Sequence, residues 1–125
     1  MQCTTEEMIG FESIITNIGK AYDGHAIFTC PVKGLYLFSV SVKSSDTKLA
    51  SVQIYQANIG KTSGAYAGKV AEQQGSTTAI LQCQQNEPVW VECTGAAGNQ
   101  GLMDIDAGIE TSFSGVLLSK IPELY

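Results

Sequence analysis

Short apolar runs separated by turn-forming residues extend along most of the chain. The clearest run, GLYLFSVSV at residues 34–42, follows a turn and is rich in aromatic and β-branched residues. Comparable runs occupy residues 8–16, 25–29, 49–55, 77–84, 89–93 and 112–119. Such spacing predicts about nine or ten short strands and is typical of an all-β sandwich or barrel. No apolar stripe with helical spacing interrupts the series.

Two of these runs carry apolar side chains at both odd and even positions. Residues 35–38 read LYLF and residues 116–118 read VLL. Because successive side chains of a strand point to opposite faces, both faces of these strands are expected to be covered. The cover is either another layer of the same chain or a neighbouring subunit. The residues expected in this core or subunit interface include Tyr36, Phe38, Val116 and Leu118.

Length and charge narrow the class of protein. The 125 residues predict one domain spanning residues 1–125, in which residues 1–8 have no clear structural assignment. No apolar run is long enough to cross a bilayer, so membrane insertion is not expected. The net charge of −5 offers no basic surface for nucleic acid. Charged residues make up only 15% of the chain, which favours an extracellular β-protein with an uncharged polar surface.

The four cysteines permit three complete pairings, between which the sequence does not choose. None lies in a CxxC motif, and a structural zinc site is disfavoured. Cys30, Cys83 and Cys93 are predicted to be buried free thiols, because free cysteine is among the most buried residue types. Cys3, close to the first residue, is expected either to be free or to link two chains.

No catalytic motif is present, and the protein is predicted not to be an enzyme. The only histidine, His25, lies in the loop-like sequence DGHAIF and is expected to be a turn or surface residue rather than a general base. The sequence contains no GxSxG, P-loop, GxGxxG or HExxH motif.

Three segments in order resemble one known family. Residues 11–38 read FESIITNIGKAYDGHAIFTCPVKGLYLF, residues 85–92 read QNEPVWVE, and residues 112–118 read SFSGVLL. They resemble the C1q domain, the globular head of complement C1q, which is related to the tumour necrosis factor superfamily. The positions that match its signature are Phe11, Asn17, Tyr22, Phe28, Gly34, Tyr36 and Phe38. The chain is most similar in form to the single-domain C1q proteins of molluscs and other invertebrates.

The resemblance implies a ten-stranded jelly-roll β-sandwich that assembles as a compact homotrimer. In that family one sheet packs on the core on one side and on neighbouring subunits on the other. The family's usual N-terminal strand has no counterpart before residue 8, so residues 1–8 are expected to supply a substitute strand or a remodelled edge.

The function implied is that of a secreted, lectin-like protein of innate immunity, whose trimer recognises glycans or microbial surfaces. Two alternatives stay open at this point. One is a cytokine-like or organiser-type ligand for a protein receptor, and the other is an extracellular structural protein.

Candidate ligand contacts lie in glycine-flanked segments expected to be loops, since binding groups concentrate on loops held by a rigid scaffold. Trp90 could stack on a sugar, but its mid-strand position between Val89 and Val91 favours core or interface packing. The residues predicted to contact ligand are Asn58, Tyr66, Gln73 and Gln74.

The segment GNQGLMDIDAGIE at residues 98–110 suggests a calcium site. Asp104 and Asp106 alternate, so both carboxylates could reach one ion, and calcium prefers oxygen ligands. Some trimers of the resembled family hold calcium near the apex through this connection. The alternative is a solvated acidic loop, and no cofactor is required.

Overall fold

The computed structural model describes residues 2–4, 8–11, 19–43, 50–67, 74–93, 102–104 and 112–122. Within these ranges the chain forms nine strands and no helix. In chain order they are β1 (Gln2–Thr4), β2 (Phe28–Thr29), β3 (Gly34–Lys43), β4 (Ala50–Gln56), β5 (Gly60–Ala67), β6 (Gln74–Cys83), β7 (Pro88–Cys93), β8 (Leu102–Asp104) and β9 (Ser112–Lys120). The all-β prediction is confirmed. No helix in the described ranges is long and apolar enough to cross a membrane.

The strands form three sheets. One has four strands in the order β2-β7-β4-β5, a second has three in the order β6-β3-β9, and β1 pairs with β8 in a small third sheet. All of the strand pairs are antiparallel. The four- and three-stranded sheets enclose one core, to which the alternate residues of β3 and β7 contribute buried side chains.

Most of the predicted runs correspond to strands, but not every assignment agrees. The described part of the run at residues 8–16 forms only the isolated bridge of Met8 to Glu92, and residues 12–16 lie outside the described residues. Strand β5 was not predicted, because its sequence GKTSGAYA has almost no apolar alternation. It forms because β4 supplies a backbone partner along its whole length, from Gln56↔Gly60 to Ala50↔Ala67. The run at residues 25–29 forms only the two-residue strand β2, since residues 23–27 turn around Asp23.

A cluster of aromatic rings joins the two sheets. Phe38 of β3 lies 5.1 Å from Phe28 of β2 in an edge-to-face contact, and 6.1 Å and 6.0 Å from Tyr36 and Phe113 in stacked contacts. Each such pair is worth ~0.5–1.5 kcal/mol beyond the burial of its area. Because Phe28 and Phe38 belong to different sheets, this contact holds the sandwich together.

Two glycines are required where strands pass close to bulky groups. A Cβ at Gly34 would lie 2.6 Å from the carbonyl oxygen of Ser119, and one at Gly115 would lie 2.7 Å from the Phe38 ring. Gly34 was singled out by the resemblance without a structural reason. The reason is that β3 and β9 approach each other closely at this point.

The segment before the signature Phe11 lies against the four-stranded sheet. Met8 bridges Glu92, and the Ile9 amide donates to the Val91 carbonyl at 2.8 Å. The Tyr22 hydroxyl accepts from the Phe11 amide at 3.0 Å and donates to the Phe11 carbonyl at 2.7 Å. Residues 8 and 9 thus pair with β7, while β1 pairs with β8 in the small third sheet.

The cysteine predictions are confirmed in part. Cys30 and Cys83 are buried free thiols, as expected. Cys93 is also buried, but it is disulfide-bonded, so the prediction of a free thiol there was wrong. Since Cys30 and Cys83 are both free, neither is its partner. Pairing depends on which strands approach in space, and the spacing of cysteines along the chain does not contain that information.

We predict that Gly115→Ala destabilises the domain. The added methyl would overlap the Phe38 ring, and overpacking of this kind costs ~1–3 kcal/mol in free energy of unfolding. Ser114→Ala, one residue earlier on the exposed side of β9, is the matched control and should stay within about 0.5 kcal/mol of the wild type. Urea unfolding measures both. Equal stability of the two variants would contradict the close packing at Gly115.

Candidate functional site

The side of sheet β6-β3-β9 that faces away from the core carries large apolar side chains, and we call it the β3 outer face. Ile80, Val116 and Leu118 are each more than half exposed, at 61%, 52% and 51%, and Leu35 is 37% exposed. Leu37 of β3 pairs with both Ile80 of β6 and Val116 of β9, so it lies between them in one row. These residues form one contiguous apolar patch across three strands.

The other end of the β3 outer face is lined by hydroxyl groups. Two further rows cross the same three strands in register. The Thr78 hydroxyl donates to the Ser39 hydroxyl at 3.4 Å within the first row. The six residues of the two rows are Thr78, Ser39 and Ser114, then Ser76, Ser41 and Ser112. The face is therefore apolar at one end and hydroxyl-rich at the other.

The structure separates the four residues predicted to lie in the core or an interface. Tyr36 and Phe38 are buried in the core of the single chain, at 1% and 0% exposure. Val116 and Leu118 point to the opposite side, on the β3 outer face. The inward face of the sheet is therefore covered within the chain, whereas its outward face is exposed in a single chain.

An aromatic pair lies on the outer side of the four-stranded sheet. Trp90 of β7 is half-buried and stacks with its register partner Tyr55 of β4, with ring centroids 6.0 Å apart and planes 11° from parallel. The Trp90 indole NH donates to a Glu92 carboxylate oxygen at 2.7 Å, which fixes the orientation of the ring. Gln53 pairs with Glu92 in the next row. We call Gln53, Tyr55, Trp90 and Glu92 the Trp90 strip.

The expected core or interface position of Trp90 is resolved by the alternation of β7. Val89 and Val91 are fully buried, so Trp90 points away from the core. Part of the Trp90 ring is accessible to solvent, next to the polar residues Gln53 and Glu92. Sequence reasoning named Trp90 but ranked stacking on a ligand below packing, and it missed Tyr55 because cross-strand register is not visible in one sequence.

A buried carboxylate holds the turn between β4 and β5. Glu87 is only 4% exposed, and its two oxygens accept from the amide NH of Asn58 at 2.9 Å, the amide NH of Gln84 at 2.9 Å and the Gln56 side-chain amide at 3.1 Å. Gln56 donates further to the Gln82 carbonyl at 2.7 Å. The Gln56 side-chain oxygen has no hydrogen-bond partner among the described residues. Glu87 therefore links the β4–β5 turn to the β6–β7 turn.

The residues predicted to contact ligand do not gather in one place. Asn58 is exposed in the β4–β5 turn, next to the end of β4 that carries Tyr55. Tyr66 lies in β5 opposite Ser51, about 20 Å along the strand from Gly60 at the rise of a β-strand. Gln74 begins β6 opposite Lys43. Tyr66 and Gln74 thus lie in strands rather than loops, and Gln73 lies outside the described residues.

The calcium hypothesis stays a prediction. Asp104 ends strand β8 with Gln2 as its register partner. Asp106 lies outside the described residues.

His25 lies in an exposed turn, as predicted. The carboxylate of Asp23 accepts from the amide NH groups of His25, Ala26 and Ile27 at 2.8, 2.9 and 3.1 Å. The bond from the His25 amide, followed by that from Ala26, lowers the pKa of Asp23 below its usual value. The histidine is therefore part of a backbone turn organised by Asp23.

Comparison with known protein families identifies one family that this chain matches. The model of the C1q domain family matches residues 1–118. The chain is 32% identical over 117 residues to human complement C1q and tumor necrosis factor-related protein 9A, covering 91% of this chain and 34% of that protein. It is 33% identical over 116 residues to mouse collagen alpha-1(X) chain, covering 90% and 16%. The chain thus spans about a third or less of the length of these curated relatives.

Solved structures share the fold. The globular domain of zebrafish complement 1qA protein superimposes with a TM-score of 0.70 at 18% identity, covering 97% of this chain and 91% of that one. Eiger TNF from S. frugiperda superimposes with a TM-score of 0.73 at 10% identity, covering 98% and 87%. The predicted jelly-roll class is confirmed.

We predict that Glu87→Ala lowers the free energy of unfolding by ~2–4 kcal/mol, because three donors, including the buried Gln56 side-chain amide, lose their acceptor at once. Glu87→Gln keeps one side-chain acceptor oxygen and should lose about half as much. Urea unfolding gives the free energies, and hydrogen exchange should show the Asn58 amide losing protection in Glu87→Ala. A stability within ~0.5 kcal/mol of the wild type would show that Glu87 does not hold the two turns.

Proposed function

The chain belongs to the C1q domain family, and from that premise we propose that it is a secreted, non-enzymatic recognition domain that acts as a homotrimer and binds glycans. The observation that carries the proposal is the β3 outer face, whose apolar half is left open by the single chain. Proteins of this family are typically secreted and trimeric, and they are generally ligands or structural proteins rather than enzymes.

Physical chemistry supports assembly through this face. Soluble monomers seldom expose a contiguous patch of large aliphatic side chains. Leu35, Ile80, Val116 and Leu118 are between 37% and 61% exposed, so covering each would contribute on the order of 1 kcal/mol per chain. The cover proposed is a second and a third copy of the same chain. The hydroxyl rows at the other end need no such cover, because Ser and Thr hydroxyls form hydrogen bonds with water.

The Trp90 strip and Asn58 are the proposed glycan contacts. Sugar rings present apolar C–H faces that pack on aromatic rings, while their hydroxyls bond to amides and carboxylates. The strip offers both within two rows, and the exposed Asn58 lies three residues from Tyr55 along the chain. The net charge of −5 favours neutral sugars over anionic ones. Three identical weak sites in one trimer can raise avidity ~10²–10⁴.

The other predicted contacts enter the proposal as a second region. Tyr66 lies in β5 near its far end from Asn58, and Gln74 begins β6, while Gln73 lies outside the described residues. A longer glycan could extend from the Trp90 strip toward this end, because Tyr66 pairs with Ser51, two residues from Gln53 on β4.

We predict that Val116→Asp converts the trimer into monomers without unfolding them. The new charge would be buried between subunits at a side chain that is half exposed in one chain. Ser112→Asp, on the same strand but in the hydroxyl rows, is the matched control and should stay trimeric. Size-exclusion chromatography with circular dichroism separates dissociation from unfolding. If Val116→Asp remains a trimer, the subunit interface does not include the apolar part of the β3 outer face.

We predict that the wild type binds specific neutral sugars on a glycan array and that Trp90→Ala loses at least tenfold in apparent affinity, since stacking on Trp90 would be removed. Trp90→Phe keeps an aromatic ring and should retain most of the binding. A flat array together with saturable binding to one cell-surface protein would favour the receptor-ligand alternative. If Trp90→Ala binds the same sugars with unchanged affinity, the chain binds glycans but the binding site lies outside the Trp90 strip.

A further inference from the structure

Two buried thiols meet in the core at the point where the sheets are joined. Cys30 follows β2 and Cys83 ends β6, so they belong to strands of different sheets. Both side chains are fully buried in the same apolar cluster, and both are free. Neither the recognition proposal nor the assembly proposal uses them.

The backbone fixes the two cysteines beside each other. The Cys30 amide donates to the Glu87 carbonyl at 3.0 Å, and the Asn86 amide donates to the Cys30 carbonyl at 2.7 Å. Glu87 and Asn86 belong to the turn that begins directly after Cys83 and closes with the Glu87 amide donating to the Gln84 carbonyl at 3.2 Å. Both the amide and the carbonyl of Cys30 are therefore hydrogen-bonded to the turn that directly follows Cys83.

The environment of Cys30 favours its protonated thiol. A hydrogen bond between the Cys30 and Cys83 side chains, together with burial, raises the pKa of the Cys30 thiol far above its usual value. The folded core therefore suppresses the thiolate, which is the form that reacts. We expect this pair to be oxidised either during folding, before the core closes, or when the β6–β7 turn opens locally.

The chain already contains one disulfide, at Cys93. A protein that acquires a disulfide folds in a compartment where thiols are oxidised. Cys30 and Cys83 are exposed to the same conditions while the chain is still open. A pair of thiols that the native fold places side by side in one cluster is then a substrate for the same exchange chemistry.

We propose that Cys30 and Cys83, which are free thiols in this structure, form a second disulfide when the chain folds under oxidising conditions. The oxidant is a small-molecule or protein disulfide, such as oxidised glutathione. One cysteine thiolate attacks this disulfide, forms a mixed disulfide and releases one thiol. The other thiolate then attacks the mixed disulfide at the cysteine sulfur, forms the Cys30–Cys83 bond and releases the second thiol. Two electrons pass from the cysteine pair to the oxidant, and the two protons end on the released thiols.

The new bond would link β2 of the four-stranded sheet directly to β6 of the three-stranded sheet. The ring it closes contains β3, β4 and β5. Closing a long loop restricts the unfolded chain, which stabilises the fold. The bond would act at the same junction as the Phe28–Phe38 contact.

Peptide mapping of the wild-type chain tests the proposal. The reduced protein is folded in a mixture of reduced and oxidised glutathione, denatured in acid, alkylated and digested with trypsin and a glutamate-specific protease without reduction. The expected product is residues 21–33 linked to residues 73–92, with Cys30 and Cys83 unalkylated. Reduction should separate the two peptides and expose both thiols.

Cys30→Ser is the matched control, in which Cys83 should become alkylated. The wild-type map does not depend on whether this variant folds. If Cys93 is oxidised while Cys30 and Cys83 are both alkylated in the wild type, the proposal is overturned. A linkage of either cysteine to a different peptide would overturn it as well.

Discussion

The contact between Phe28 and Phe38 is the interaction on which the sandwich depends. Phe28 comes from the short strand β2, and Phe38 comes from the centre of β3, so their rings meet across the space between the two sheets. Tyr36 and Phe113 extend the cluster along the three-stranded sheet. Gly115 leaves room for the Phe38 ring, and the rest of the core packs around this centre. A strand whose inward side is committed to such a cluster has only its outward side available for other contacts.

This constraint divides the molecule into two surfaces with different chemistry. The outward residues of β3, β6 and β9 are apolar at one end and hydroxyl-bearing at the other. The outward residues of β4 and β7 include a stacked aromatic pair with an amide and a carboxylate in the neighbouring row. Because the two surfaces lie on opposite sides of the sandwich, assembly through the first leaves the second accessible. A trimer built in this way would present three copies of the Trp90 strip to the solvent.

Sequence reasoning succeeded where the local pattern determines the structure. The apolar residues of the run 35–38 correctly indicated a strand, and the C1q resemblance identified the fold. It could not say which parity pointed inward, because that depends on where Phe28 lies in space. It also missed β5, whose strand conformation comes from pairing with β4 and not from its own side chains.

The candidate site was less visible in the sequence for the same reason. Tyr55 and Trp90 are 35 residues apart along the chain and become neighbours only through the register of β4 and β7. Glu87 looks like an ordinary turn residue, yet it is buried because two turns converge on it. The spacing of the four cysteines likewise does not reveal that Cys93 is disulfide-bonded. Sites made by cross-strand register require the topology before they can be recognised.

The central claim is that the open apolar half of the β3 outer face is covered by further copies of the chain. Multi-angle light scattering of the wild-type protein at micromolar concentration tests it most directly. The account predicts a mass three times that of the 13.3 kDa chain, constant over a tenfold dilution. A mass of one chain throughout that range would contradict the account, because Ile80, Val116 and Leu118 would then face water in the native state.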